Sequence, residues 1–469
     1  MLRQPIALRL RNDSCLPARA QLLLPRNCRH DSLTVKTFQS GFAATYSPQT
    51  RRIPFLALFR CRAIIDPPPA AKGGKLDLFD KCRQLDFALQ SARARNRFFY
   101  SRAITPAAAP LATRDGRELI NLGSNNYLGL TEHPKVQASA VAAVAEYGTG
   151  SAGSRLLTGT TPLHLEMERT LAAFKNVEAV VTFSTGFMAL SATVSALAGE
   201  GDFIFSDELN HASIIDGCRR SQAKTVVYRH NDLADLEAQL KAVPAETAKL
   251  IVTDGVFSME GDICDLPGLR RLAVSHNCKL MVDDAHATGV LGRTGRGTAE
   301  HYNMEGSVDV TSGTLSKSLA ALGGFSGGPH AVAEFLRYNA RQSVFSASLP
   351  PSVAATVIAA LGILKSEPER VERLRANARF MSSELKKAGF SVHDHGTPIL
   401  PIAVGDDDRT YQAAGRLEQE GVFANPVVFP AVPPGQAIVR ISLMATHTEE
   451  QLQTALQKFV LVGKELHII

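Results

Sequence analysis

The chain has 469 residues, 20% charged and 45% hydrophobic, with 24 Pro and 35 Gly, which excludes a coiled coil, a collagen-like rod and a mini-protein and exceeds one simple core. No apolar run approaches the roughly 20 residues that span a bilayer; the run from Ile53 to Phe59 is short and flanked by arginines, so no transmembrane segment is expected. The formal charge of +6 is uneven: residues 1–75 carry 13 basic side chains against Asp13, Asp31 and Asp66, while the other 394 residues carry 38 basic against 42 acidic groups, a mildly acidic body with no electrostatic reason to bind nucleic acid.

Residues 1–75 contain eight prolines and no sustained helical or strand period, and they end in Pro67-Pro68-Pro69 and Gly73-Gly74. They read as a disordered basic leader. Two origins stay open: a transit segment, or a start set upstream of a protein that begins near Leu76. A cytoplasmic location is expected, with the mitochondrial matrix as the alternative if the leader is a transit peptide. The seven cysteines (15, 28, 61, 82, 218, 264, 278) form no CxxC pair and no ladder of metal ligands, so free thiols in a reducing compartment and no metal site are expected, with Cys264 a small buried thiol.

From residue 76 the signals strengthen. Leu78 to Asn96 reads as a helical arm, within an amino-terminal segment of 76–125. Thr131 can cap a helix starting near Pro134 and stopped by Gly148, and Thr161 with Pro162 repeats the device for a helix through Phe174. Short β-rich runs then alternate with helical stretches: Ala179 to Phe183, Asp202 to Phe205, Thr225 to Tyr228, Leu250 to Asp254, Leu280 to Asp283 and Val308 to Thr311. This alternation predicts an α/β fold with a mostly parallel sheet and helices on both faces, over about residues 126–360. Ligands belong beyond the carboxyl ends of such strands. After a long helical stretch around Val353 to Lys365, a smaller α+β domain (361–469) is expected in the order helix, strand, strand, helix, strand, helix. Its clearest strands are Ile399 to Val404 and Ala437 to Leu443.

Three groups of polar residues fall at or after strand ends. Ser184-Thr185-Gly186-Phe187 links a strand to a helix, and free N–H groups there can face a phosphate, although most such turns are only turns. In Asp283-Asp284-Ala285-His286 an acid could pair with a protonated ring nitrogen and the histidine reach another edge of that ring; a helix cap beside an ordinary surface histidine explains the tetrad equally well. In Thr314-Leu315-Ser316-Lys317-Ser318 the lysine is either solvated or, if it projects into the crevice, an imine-forming amine. A phosphate cradle, a carboxylate for a pyridinium and an imine-forming lysine, in chain order on successive βα units, together describe pyridoxal 5′-phosphate.

With Ser124-Asn125-Asn126-Tyr127-Leu128-Gly129-Leu130, Gly153-Ser154-Arg155, Asn210-His211-Ala212-Ser213 and Gly255-Val256-Phe257-Ser258-Met259-Glu260-Gly261-Asp262, these segments resemble the α-oxoamine synthases, fold-type I pyridoxal-phosphate enzymes, over about residues 80–465. The resemblance implies that Lys317 carries the cofactor, Asp283 pairs with its ring nitrogen, His286 bonds its phenolic oxygen and His211 stacks on its face. Ser258 would lie beside the ring, and Thr314 with the N–H groups of Gly186 and Phe187 would hold the phosphate. Arg440 would bind the substrate carboxylate, Asn125 face the substrate, and Arg97 lie near the acyl-CoA. Ser346, in Phe345-Ser346-Ala347-Ser348, would reach the phosphate of a neighbouring subunit, since Ala347 stands where many relatives have threonine. The implied partners are an amino acid, an acyl-CoA and a second copy of the chain, in a homodimer with its sites at the interface.

The implied reaction is a decarboxylative condensation giving an α-amino ketone, CoA and CO2. Phe183 to Phe187, His230-Asn231-Asp232, Met259 to Asp262, Phe345 to Ser348, Pro426 to Val432 and Met444 to Thr448 look most like soluble bacterial serine palmitoyltransferases. Gly153-Ser154-Arg155-Leu156-Leu157 is similar to many 8-amino-7-oxononanoate synthases. 2-Amino-3-ketobutyrate CoA ligase is a further alternative within the family. From other classes come an aminotransferase on the same fold and a non-catalytic regulatory paralogue, against which the presence of Lys317, Asp283 and both histidines argues.

Overall fold

The computed structural model describes residues 77–95, 99–429 and 431–469, all within one compact unit, 53–469. The leader and Arg97 lie outside the described residues. A hairpin, β1 (Leu111–Arg114) and β2 (Arg117–Asn121), opens the fold. Seven strands follow: β3 (Ala179–Phe183), β4 (Phe203–Asp207), β5 (Lys224–Tyr228), β6 (Lys249–Asp254), β7 (Lys279–Asp283), β8 (Val310–Thr314) and β9 (Gly324–Gly328). They form one sheet in the order β3-β9-β8-β7-β6-β4-β5, parallel from β8 through β5, with β9 antiparallel to both its neighbours.

The alternation along these strands explains why both faces are covered. Ile204, Leu250, Val252 and Met281 pack with the helix Gly186–Leu197 on one face, while Phe205, Ile251, Leu280 and Val282 pack with Leu236, Leu240, Leu269 and Leu272 on the other. Strands buried on both sides read as continuous apolar runs, which is why most of them were visible in the sequence.

The carboxyl-terminal part holds the helices Pro351–Ser366 and Glu369–Lys387, strand β10 (Ile399–Gly405), the helix Asp407–Gln419, strands β11 (Val422–Phe423), β12 (Asn425–Val427) and β13 (Ala437–Ser442), and the helix Glu449–Glu465. β10, β13 and β12 form a small sheet, and β11 joins the opening hairpin beside β2. The expected strand pair before β10 is only an isolated bridge between Val392 and Ile402, and the second pair, β11 and β12, comes after the helix instead. The main hydrophobic cluster runs from Ile120 to Val462 and so joins this part to the large sheet.

Three local expectations shift. The helix Pro134–Tyr147 is capped by His133, whose side chain accepts from the Lys135 N–H, because Thr131 is occupied as acceptor for the Asn126 amide at 2.8 Å. Thr161 does cap its helix, in a capping box with His164. The predicted strand from Val308 lies two residues later, as β8, and Asp202 precedes β4 as the acceptor for the Gly199 N–H. Cys264 is fully buried, and burial pushes its thiol pKa well up.

Candidate active site

The carboxyl ends of β3, β4, β6, β7 and β8 converge on a cavity of about 250 Å³ lined by Thr185, Gly186, Phe187, His211, Asp254, Asp283, His286, Thr314 and Lys317, among others. A larger cavity of about 480 Å³, near Arg102, Arg114 and Glu418, contains none of the predicted site residues that are among the described residues. The chemistry of the lining, not the volume, selects the smaller one.

At the end of β7 the backbone separates two adjacent acids. Asp283 lines the cavity, and its Oδ1 accepts the Ala285 N–H at 2.8 Å. Asp284 is tied elsewhere: Lys175 Nζ donates to its Oδ2 at 2.6 Å and the Thr298 hydroxyl to its Oδ1 at 2.6 Å. Burial raises the Asp283 pKa to about 6, against the opposing pull of the Lys317 charge. Burial lowers the Lys317 amine to about 8, with Asp283 and Asp254 pulling the other way. A second acid, Asp254, stands in register with Asp283 on β6. Burial, followed by the Asp283 charge, raises its pKa well above the carboxylate range, and its Oδ1 is buried without a hydrogen-bond partner. Two buried carboxyls that face each other on neighbouring strands titrate as a pair.

His286 is buried and pushed well down, first by burial and then by the Lys317 charge, so its ring is neutral. Tyr127 lies 2.7 Å from its Nδ1; with the phenol donating there, the ring proton sits on Nε2. Burial raises the Tyr127 phenol to about 12, so it remains a donor. His211 is the N-cap of the helix Ala212–Arg220: its Nδ1 accepts the Ser213 N–H and lies 2.7 Å from the Ser213 hydroxyl, which fixes the ring beside Phe187. Although His211 as a residue is exposed, the surrounding protein desolvates its ring, and this, followed by the Lys317 charge, lowers its pKa to about 4. Capping and facing the cavity are here the work of one side chain.

Two residues beyond β3, Thr185 caps the helix Gly186–Leu197 by accepting the Met188 N–H at 3.0 Å, which leaves the first N–H groups of the helix to an outside acceptor. A Cβ on Gly186 would stand 2.7 Å from Thr314 Cβ and 2.8 Å from its hydroxyl. On β13, Arg440 is buried; its Nε donates to the Ser258 carbonyl at 2.7 Å and its Nη1 to the Ser442 hydroxyl at 2.9 Å. Ser442 in turn donates to Asn125 Oδ1 at 3.3 Å, and Asn125 lies the same distance from the Tyr127 hydroxyl. Ser258 therefore meets Arg440 through its carbonyl. Ser346 lines a separate narrow cleft with Arg155 and Ser184.

The lining fits pyridoxal phosphate. Gly186 leaves the space an anion needs at a helix start, the buried Asp283 carboxyl lacks an adjacent ion-pair partner of the kind Asp284 has, and a desolvated amine suited to imine formation shares the cavity.

The aminotransferase class I and II family model matches residues 117–459. The chain is 48% identical over 361 residues to an 8-amino-7-oxononanoate synthase of Symbiobacterium thermophilum, covering 77% of this chain and 92% of that one. It is 44% identical over 380 residues to a serine palmitoyltransferase of Sphingobacterium spiritivorum, covering 81% and 95%. The chain belongs to the α-oxoamine synthase family. Among solved structures, a serine palmitoyltransferase with its pyridoxal-phosphate internal aldimine superposes with TM-score 0.81 at 36% identity, covering 84% of this chain and 100% of that one. An 8-amino-7-oxononanoate synthase from Francisella tularensis gives 0.64 at 28%, covering 75% and 99%.

In this α-oxoamine synthase the sequence reading missed Tyr127, Asp254 and Ser442. Tyr127 lay inside a quoted segment, and Asp254 ends a predicted strand immediately before Gly255. Asp254's position at a strand end is a signal that could have found it; nothing local joins Tyr127 to His286. Among the described residues no group of His, Cys, Asp or Glu could hold a metal ion, and no helix is long and apolar enough to cross a membrane.

Proposed function

We propose that this enzyme joins L-serine to a long-chain acyl-CoA, giving 3-ketosphinganine, CoA and CO2. The observation that carries the choice is the backbone: it follows the serine palmitoyltransferase chain over its whole length more closely than it follows the 8-amino-7-oxononanoate synthase. The higher identity to an 8-amino-7-oxononanoate synthase favours a second reading, alanine with a pimeloyl thioester. The segment that seemed to support it is weakened by its contacts. The Arg155 side chain, 7% exposed, is forked on Glu168 at 2.7 and 3.1 Å, with Thr182 at 3.0 Å, and so has a structural partner of its own.

Pyridoxal phosphate supplies the electron sink that stabilises negative charge at the amino acid's α-carbon. The chain's own groups do the rest. Burial lowers the Lys317 amine to about 8, which suits its Nζ to take the α-proton and return one. Asp283 would hold negative charge for the ring nitrogen, and His286 would offer its Nε2 proton to the ring's phenolic oxygen. The neutral His211 covers one face. Arg440, with one edge fixed by Ser258 and Ser442, grips the substrate carboxylate and sets which bond is aligned for cleavage. Asn125 faces the amino acid from the other end of the same hydrogen-bonded chain. The reading includes a homodimer in which Ser346 would reach the phosphate bound by the partner subunit.

The test is a thiol-release screen of serine, alanine and glycine against acetyl-, succinyl-, pimeloyl- and palmitoyl-CoA. Serine with palmitoyl-CoA gives the highest kcat/KM; a preference for alanine with the pimeloyl thioester moves the enzyme to the second reading. Incubation with amino acid alone yields no pyridoxamine phosphate, which an aminotransferase would form.

A further inference from the structure

Two segments noted in the sequence, His230-Asn231-Asp232 and Met259 to Asp262, meet outside the catalytic cavity. His230 follows β5, and its ring spans two carboxylates: Nδ1 lies 3.0 Å from Asp207 Oδ1, at the end of β4, and Nε2 lies 2.8 Å from Asp262 Oδ2. Carboxylates only accept, so both ring nitrogens must donate and the ring must be an imidazolium. Burial opposes that charge, but the bonds to Asp207 and Asp262 outweigh it and raise the pKa to about 10. Asn231 repeats the bridge, its N–H on Asp207 Oδ2 at 2.9 Å and its side-chain amide on Asp262 Oδ2 at 2.7 Å. The other charged neighbours are Glu208, which accepts the His230 N–H at 2.9 Å, Glu260 beside Asp262, and Arg229, paired with Asp232 at 2.8 Å.

Asp262 closes a tight turn. Its carbonyl accepts the Phe257 N–H at 3.0 Å, the Phe257 carbonyl accepts the Gly261 N–H at 2.9 Å with Gly261 at φ +74°, and Val256 bridges Ile263. The His230 ring stands edge-on to Phe257 at 4.5 Å. Between Phe257 and Gly261 lies Ser258, whose carbonyl holds Arg440 Nε. Strand ends β4 and β5, the turn and the guanidinium are thus joined in one chain of contacts.

We propose that His230 is a positioning residue for the amino-acid substrate: by bridging Asp207 and Asp262 it fixes the 256–263 turn so that the Ser258 carbonyl holds Arg440 in its carboxylate-gripping pose. The inference rests on the reading of Arg440 given above, and not on whether the amino acid is serine or alanine.

The test uses the holoenzyme and the best amino acid from the screen. In His230→Asn the amino-acid KM rises about tenfold, while the acyl-CoA KM stays within about twofold and kcat within about threefold. Titration of the cofactor's visible absorbance with amino acid shows the same weakening. A merely structural role would lower the melting temperature without this split, and an unchanged amino-acid KM overturns the proposal whatever the melting temperature does. Should His230→Asn not fold, Asp262→Asn keeps the shape and removes the charge; a rise of about threefold in the amino-acid KM supports the bridge, and none overturns it. Arg440→Lys separates the two levels. If it leaves the amino-acid KM unchanged, the carboxylate reading falls and this inference with it; if it raises the KM while His230→Asn does not, only the bridge falls.

Discussion

Replacing either of the two acids that end β7 by asparagine tests the placement of the whole site, because the two changes should fail in opposite ways. Asp284 and Lys175 are 2.6 Å apart with side chains 5% and 3% exposed. Asp284→Asn strands a buried ammonium, which costs about 3–5 kcal/mol. At about 2 °C per kcal/mol this lowers the melting temperature by roughly 6–10 °C. Asp283 has no such partner, and its pKa lies at about 6 instead of 3.8. About two pKa units, at 1.36 kcal/mol each, make its ionisation unfavourable by roughly 3 kcal/mol in the cofactor-free protein. A raised folded-state pKa means that its contribution is most favourable below about pH 4 and is lost as pH rises through about 6. Cofactor-stripped Asp283→Asn therefore melts no lower than the parent at pH 7.5, and the parent gains on it as pH falls from 7 to 5. Reconstituted with pyridoxal phosphate, Asp283→Asn loses at least about 100-fold in CoA release. Scanning fluorimetry of stripped protein and a thiol-release assay of reconstituted protein read both. If Asp284→Asn melts like the parent while stripped Asp283→Asn loses several degrees, the inward and outward assignments are reversed.

Lys317→Ala abolishes CoA release and the visible absorbance of bound cofactor; release at the parent rate removes Lys317 from the chemistry. Because burial sets the free amine at about 8, the rate at which stripped protein forms an imine with added pyridoxal phosphate rises about tenfold per pH unit below 8 and flattens above it, as followed by stopped-flow absorbance; an ordinary lysine would keep rising toward 10. Gly186→Ala brings a methyl within 2.7 Å of Thr314 Cβ and weakens cofactor retention on dialysis about tenfold or more with the melt of the stripped protein little changed; equal retention would place the phosphate elsewhere.

What the sequence disclosed about the fold followed burial. β3, β4, β6 and β7 are apolar on both faces and were readable as strands, with ends displaced by no more than two residues. β9 was not readable, since Gly324-Phe325-Ser326-Gly327-Gly328 has three glycines in five residues and propensity places such a run in a loop. The cause is its neighbours. A Cβ at Gly324 would meet Gly186 Cα at 2.5 Å, one at Gly327 would meet Val180 Cγ2 at 2.8 Å, and one at Gly328 the Asp309 carbonyl at 2.6 Å. Glycine is present because backbone and side chains approach too closely for anything else, a tertiary requirement that overrides local preference. The opening hairpin carried the usual Asp-Gly signal at Asp115-Gly116, both at positive φ, but its strands, Leu-Ala-Thr-Arg and Arg-Glu-Leu-Ile-Asn, contain no continuous apolar run.

The site divides along the same line. Lys317, Asp283, His286 and Gly186 were legible because each sits at, or within three residues of, the carboxyl end of a strand of the large sheet, where a parallel sheet must gather side chains whatever their role. The groups that orient them were not. Tyr127 meets His286 across 159 residues, and Arg440 meets Ser258 across 182; neither pairing leaves a spacing to read. Cofactor chemistry is thus written in local strand-end segments, whereas substrate orientation depends on contacts that exist only once the small sheet carrying β13 has docked on the large one. That is why the reaction class could be argued from the residues alone, whereas the hydrogen bonds that join Arg440, Ser442 and Asn125 first appear in the fold.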